Sequence, residues 1–137
     1  MANAAYNPYK QRLLAAGLNL SSLEIRAMLV TSSYVFSASH EYVSDVSGIL
    51  TAGRSPALST KTVTNGVFDA DDVTLPSVNS GQTAAALILY YNSGSDATSV
   101  LMIYLDTGVT GLPFSTTGGD ITITWDSGAN KIFAITG

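Results

Sequence analysis

The stretch that decides the fold is a pair of apolar runs, AAALILYY at residues 84–91 and VLMIYL at residues 100–105, joined by NSGSDATS at residues 92–99. Each run has the length of a strand and the linker is rich in turn formers, so the pair predicts an antiparallel hairpin. A hairpin with one wet face alternates apolar and polar residues, whereas these runs hardly alternate. We therefore expect both faces to be covered, one by a partner sheet and the other by a helix, a long loop or another subunit.

Outward from the hairpin, the chain is a series of short β-type runs separated by turn signals. Asn65-Gly66 is the strongest of these signals, because this dipeptide favours a two-residue hairpin turn. The run ITITW at residues 121–125 alternates and places Ile121, Ile123 and Trp125 on one face. HEYVSDV at residues 40–46 has apolar residues at helical spacing and predicts a helical turn. Seven or eight short strands predict an all-β fold, either a β-sandwich or a jelly roll.

The N-terminal segment predicts a short helix. Asn7-Pro8 suits a helix start, and Gly17 suits the position after a helix end. We therefore divide the chain into an N-terminal helix or arm at residues 1–20 and a β-sandwich domain at residues 21–137. The helix either covers one face of the central hairpin or docks on a partner.

The composition excludes several classes of site. The chain has 137 residues, no cysteine, one histidine, a net charge of -4 and only 12% charged residues. Without cysteine there is no thiolate nucleophile and no cysteine-ligated metal. Six basic residues spread along an acidic chain predict no nucleic-acid partner, and no apolar run is long enough to predict a membrane helix. Low charge and a mean hydropathy of +0.27 favour a surface partly buried in an assembly.

Three short motifs suggest chemistry that ordinary turns also explain. Asp106-Thr107-Gly108 resembles the start of the active-site loop of retroviral-type aspartic proteases, a reaction that needs two such loops. His40-Glu41 begins like the HExxH zinc motif, but Ser44 stands where the second histidine is required. Asp69, Asp71 and Asp72 either bind calcium or form a charged bend between strands. We favour the turn and bend interpretations and expect no catalytic residue and no cofactor, while calcium binding stays open.

The order of segments resembles a family of small tailed-phage virion proteins, the capsid decoration or cement proteins. The segments that carry the resemblance are YNPYKQRLL (6–14), IRAMLVTSSY (25–34), HEYVSDV (40–46), KTV (61–63), VFDADDVT (67–74) and GDITITW (119–125). The stretch around Gly53-Arg54-Ser55-Pro56 departs from the family's Gly-rich pattern. The resemblance implies a homo-oligomer, dimer or trimer, on the outer surface of the capsid in the virion, with the major capsid protein as partner.

Exposed aromatic residues are favoured anchors of such contacts. We therefore predict interface roles for Tyr6, Tyr9, Tyr34, Phe36 and Phe114, with core filling as the alternative for each. Two other functions stay open: a tail, neck or head-fibre component that binds a receptor or a carbohydrate, and an aspartic protease acting through Asp106.

Overall fold

The computed structural model describes residues 4–16, 19–106, 112–125 and 132–134. Its elements, in chain order, are β1 (Ala4–Ala5), α1 (Asn7–Ala16), β2 (Ile25–Val30), a 3-10 turn (Val43–Asp45), β3 (Ile49–Arg54), β4 (Thr62–Thr64), β5 (Val67–Asp69), β6 (Val73–Leu75), β7 (Thr83–Ala84), β8 (Ala86–Tyr91), β9 (Val100–Leu105), β10 (Phe114–Ser115), β11 (Ile121–Ile123) and β12 (Phe133–Ala134). The prediction of an all-β fold with a short N-terminal helix is confirmed.

A five-stranded antiparallel sheet forms the centre, with strand order β1-β9-β8-β2-β3. Strands β8 and β9 form the predicted hairpin, with Leu87 opposite Leu105 and Tyr91 opposite Val100. Every residue of β9 is buried, and so are the first five residues of β8. The single chain therefore covers both faces of the hairpin, which does not need a second subunit for this purpose.

Three smaller antiparallel ladders complete the described fold: β10-β7, β11-β6 and β12-β5-β4. Their buried side chains, among them Phe68, Leu75 and Ile123, belong to the same core cluster as those of the central sheet. Asn65 and Gly66 join β4 to β5 with positive φ angles of 52° and 77°. Both central positions of a type I′ turn require positive φ, so the predicted tight hairpin turn is confirmed.

The N-terminal segment is built into the sheet. Strand β1 pairs with β9, Ala5 opposite Ile103, and the main-chain N–H of Tyr6 donates to the carbonyl of Met102 at 3.1 Å. Helix α1 follows at once, and Tyr9 on its inner side is buried. Of the two predicted roles, the helix therefore takes that of a cover for the central sheet. The proposed helix stop at Gly17 lies outside the described residues.

The segment HEYVSDV (40–46) forms the predicted helical turn as a single 3-10 turn. The Asp45 carboxylate accepts the main-chain N–H groups of Glu41 and Tyr42, both at 3.0 Å. These two hydrogen bonds lower the pKa of Asp45, because N–H donors favour the charged carboxylate. Just before the turn, the main-chain N–H of Leu101 in β9 donates to the carbonyl of Glu41, so the turn is fixed to β9.

Candidate interaction site

The five aromatic residues predicted to contact a partner fall into two groups. Tyr6, Tyr9 and Tyr34 are 0%, 1% and 6% exposed, whereas Phe36 and Phe114 are half-buried. A side chain with no exposed surface contributes no contact area to a partner in this conformation. For the three tyrosines the structure therefore favours core filling over direct contact, and only the two phenylalanines keep a solvent-facing part.

Four aromatic rings cluster where the chain leaves β1 and crosses the central sheet. The Phe36 ring lies 5.0 Å from that of Tyr6 and 5.2 Å from that of Tyr104, and the Tyr34 ring lies 6.2 Å from that of Tyr104. Such distances allow tilted ring packing, which adds to the stabilisation from buried area. The cluster fixes the loop after β2 onto the sheet.

A chain of hydrogen bonds runs through this aromatic cluster. The hydroxyl oxygens of Tyr6 and Tyr34 are 2.8 Å apart, and the Tyr34 hydroxyl lies 2.9 Å from Nδ1 of His40. Burial raises the pKa of the Tyr6 hydroxyl far above its ordinary value, and the hydrogen bond with Tyr34 raises it further. Burial likewise raises the pKa of Tyr34. His40, which began the truncated zinc motif, thus has a structural partner.

Helix α1 is also held by contacts with residues 38–42. A guanidinium nitrogen of Arg12 donates to the Glu41 carboxylate and, at 3.2 Å, to the hydroxyl of Tyr42. The guanidinium also lies 5.9 Å from the centre of the Tyr42 ring, within the range of a cation–π contact. The main-chain N–H of Asn7 donates to the carbonyl of Ala38 at 2.7 Å. The helix is therefore fixed to the segment that precedes the 3-10 turn.

Two apolar side chains on these fixed elements face solvent. Leu14 on α1 is 91% exposed, and Val35, between Tyr34 and Phe36, is 78% exposed. The choice of aromatic residues as contact candidates missed Leu14, although the sequence carries a signal for it. Tyr6, Tyr9 and Leu13 have the spacing of one helical stripe, and the adjacent Leu14 is turned about 100° away from Leu13. A leucine that lies outside the buried stripe of the helix is therefore predicted to face solvent.

Two of the three aspartates of the charged bend, Asp71 and Asp72, hold Trp125 just after β11. A carboxylate oxygen of Asp72 accepts the main-chain N–H of Trp125 at 3.1 Å, and the carbonyl of Asp71 accepts its ring N–H at 3.0 Å. The Asp71 carboxylate accepts the hydroxyl of Thr60. In the part of the chain that the structure describes, no three metal-ligating side chains come together. The structure thus gives a role in the fold to Asp71 and Asp72.

The candidate protease motif lies at the limit of the described chain. Asp106 directly follows β9 and is half-buried, while Thr107 and Gly108 lie outside the described residues. The favoured turn interpretation of this motif and the protease alternative therefore both stay predictions from the sequence.

Comparisons with known proteins identified no similar protein. The chain matches no family model, no curated protein and no solved structure. Among the described residues, no helix is long and apolar enough to cross a membrane.

Proposed function

We propose that this chain is a structural virion protein, a capsid decoration or cement protein that binds the outer surface of a tailed-phage head and stabilises contacts between major capsid subunits. The observation that carries the proposal is the order of segments from YNPYKQRLL (6–14) to GDITITW (119–125). In the structure these segments supply α1, β2, the 3-10 turn, β4, β5, β6 and β11. The segments on which we base the proposal therefore lie on strands and the helix and are not limited to one loop.

The exposed residues Leu14 and Val35 suit the contact role in this proposal. Both are held by rigid neighbours: the buried Tyr9 and the Arg12 ion pair fix the helix, and the buried Tyr34 fixes the loop. An apolar side chain on a fixed backbone loses little conformational freedom when it binds, so more of its burial free energy contributes to affinity. In the proposed complex these two side chains, with the exposed parts of Phe36 and Phe114, meet the shell.

Thermal release of DNA from phage particles tests the cement role. Particles that carry the protein and particles from which it has been deleted are heated in parallel, and DNA release is followed with an intercalating dye. A ligand that binds the assembled shell better than free subunits stabilises the assembly by linkage, so release without the protein should occur at a lower temperature. Equal release temperatures, with full occupancy verified on the complete particles, would contradict cementing.

A matched pair of helix variants tests the contact surface. Leu14→Ser removes the exposed apolar side chain, and Gln11→Ser changes an exposed polar residue on the same helix. Leu14→Ser should weaken binding to particles that lack the protein by roughly tenfold to a hundredfold, since burying a leucine is worth about 1.5–3 kcal/mol and each 1.4 kcal/mol is about tenfold in affinity. Gln11→Ser should bind like the unmodified chain. Equal binding of both variants, measured by co-sedimentation, would move the contact surface away from α1.

A head-fibre or tail role is the alternative if the protein is on the particle but does not strengthen it. Immunogold labelling of purified particles distinguishes these locations: a cement labels the whole head surface, whereas a neck or tail component labels one vertex or the tail.

A further inference from the structure

Among the described residues, the outer edge of the three-stranded sheet has no strand beside it. Strand β4 forms this edge and pairs with β5 within the described part of the chain, and all three of its residues are exposed. Val63 at its centre is 53% exposed. An exposed strand edge offers unpaired N–H and C=O groups to another strand.

The register of the hairpin shows which main-chain groups point outward. Thr64 and Val67 flank the two-residue turn and Val63 stands opposite Phe68. Pairs next to the turn exchange hydrogen bonds and the following pair does not. Consistent with this alternation, the carbonyl of Phe68 accepts the N–H of Ile132 at 3.2 Å, on the side of β12. The N–H and C=O of Val63 therefore point away from β5, toward the open edge.

By contrast, a side chain partly covers the β3 edge of the central sheet. At β3 the Gln82 side chain occupies the edge: its Oε1 accepts the N–H of Thr51 at 2.8 Å, and its Nε2 donates to the Thr51 carbonyl at 3.3 Å. Edge lysines also discourage strand addition, but the ammonium group of Lys61, beside β4, is bound to the carbonyl of Leu23. Neither a side chain on the edge nor an exposed lysine therefore protects the outward N–H and C=O of Val63.

We propose that β4 pairs antiparallel with β4 of a second copy of this chain, about a twofold axis that passes beside Val63. In that register Val63 faces the same residue of the second copy, and the two exchange both N–H···O=C bonds. The pairing is self-complementary, as a twofold interface must be. Thr62 then stands opposite Thr64, a favourable cross-strand pair, and Lys61 stands opposite Asn65, so no like charges meet.

The side chains add to the main-chain pairing. Val63 lies on the same face as its neighbour Phe68, which is buried, so two facing valines extend the apolar surface beside the core. Two hydrogen bonds and one valine pair form a seam far smaller than a standard interface of roughly 1,600 Å². The dimer should therefore be weak in solution and depend on concentration, and it should strengthen wherever copies are held close together.

Sedimentation of the unmodified full chain and of a proline variant, measured separately, tests this β4–β4 interface. Val63→Pro removes only the outward N–H, because Val63 does not donate to β5, and proline is tolerated at strand edges of this kind. The unmodified chain should show a reversible dimer at high micromolar concentration, with twice the mass of one 14.2 kDa chain. Val63→Pro should raise the dissociation constant at least tenfold. A chain that stays monomeric at 500 μM, or a dimer that Val63→Pro leaves unchanged, would overturn the proposal.

A thiol variant gives a second test that does not depend on proline being tolerated. The chain has no cysteine, so Val63→Cys carries a unique thiol. Hydrogen-bonded antiparallel pairs have Cα atoms about 5.5 Å apart, within the range that disulfides span. Mild oxidation should cross-link Val63→Cys into a dimer at least tenfold faster than Val35→Cys, an exposed valine elsewhere. Equal rates for the two variants would also overturn the proposal, and neither test involves phage particles.

Discussion

At the residue scale, Trp125 joins two parts of the fold through both its ring and its backbone. Its ring is almost fully buried, and its two N–H groups donate to Asp71 and Asp72 in the bend after β5. Trp125→Ala should lower the free energy of unfolding by about 3–5 kcal/mol, the range for large aromatic residues in cores. Thr124→Ala, at the exposed neighbouring position, should change it by less than about 0.5 kcal/mol. Urea unfolding followed by far-UV circular dichroism measures both; equal values would mean that the ring does not support the core.

The buried tyrosines predict instability at alkaline pH. Burial raises the pKa values of Tyr6 and Tyr9 in the folded chain well above the unfolded value of about 10. Above pH 10 the unfolded chain therefore releases protons that the folded chain retains, and stability falls as pH rises. The free energy of unfolding should be nearly constant from pH 8 to 9 and should decrease steeply between pH 10 and 11. Tyr6→Phe should make that decrease shallower, and an unchanged slope would show that Tyr6 ionises in the folded state.

At the residue scale, sequence patterns predicted the burial of some side chains but not of others. The alternation of ITITW (121–125) correctly predicted the burial of Ile123 and Trp125, because period-two alternation directly encodes the two faces of a strand. The burial of Tyr6 and Tyr34 could not be predicted in this way. Both lie outside regular strands, and their environment comes from Phe36 and Tyr104, which are distant in sequence. An aromatic residue in a loop has the same sequence signature whether it fills a core or faces a partner.

At the element scale, the N-terminal segment is a part of the sheet and its cover. Removing residues 1–16 would take away β1, expose the edge of β9 and delete the buried rings of Tyr6 and Tyr9. Because deletion of one large core side chain costs about 3–5 kcal/mol, the truncated chain should lose cooperative thermal unfolding. Leu14→Ser, which changes the exposed side of the same helix, should retain the melting temperature of the full chain to within a few degrees. A truncated chain that melts like the full chain would support the interpretation of residues 1–20 as a separate arm.

The elements divide into those that local sequence specifies and those that it does not. The β8–β9 hairpin and the Asn65-Gly66 turn were predictable, because run length and turn chemistry are local signals. The strand order of the central sheet was not, because β2 lies between β8 and β3 and such neighbours depend on long-range packing. The position of β4 at an edge follows from the order β12-β5-β4 of the three-stranded sheet, which also joins strands distant in sequence, so no sequence pattern predicted it.

At the scale of the whole molecule, charge is scarce, and in the part of the chain that the structure describes the exposed large apolar side chains are Leu14, Val35 and Val63. Only 12% of the residues are charged, and Arg12, Arg26 and Arg54 are each engaged with a carboxylate of the same chain. Among the described basic residues, most are therefore already engaged within the chain and offer a partner little free positive charge. The contact that we propose with the capsid therefore relies on apolar and hydroxyl groups.

Because the proposed contact relies on apolar and hydroxyl groups, binding to particles should depend little on salt concentration. Exposed charges are strongly screened when salt rises, since the Debye length falls from about 10 Å at 0.1 M to about 3 Å at 1 M. Burial of apolar surface is not screened in this way. Binding of the full chain to particles that lack it, measured by co-sedimentation, should change less than threefold between 0.1 M and 0.5 M NaCl. Leu14→Ser should bind more weakly than the unmodified chain at both concentrations. A tenfold or larger loss of binding at the higher salt would instead indicate that charged groups dominate the contact, and Leu14 would then not be its anchor.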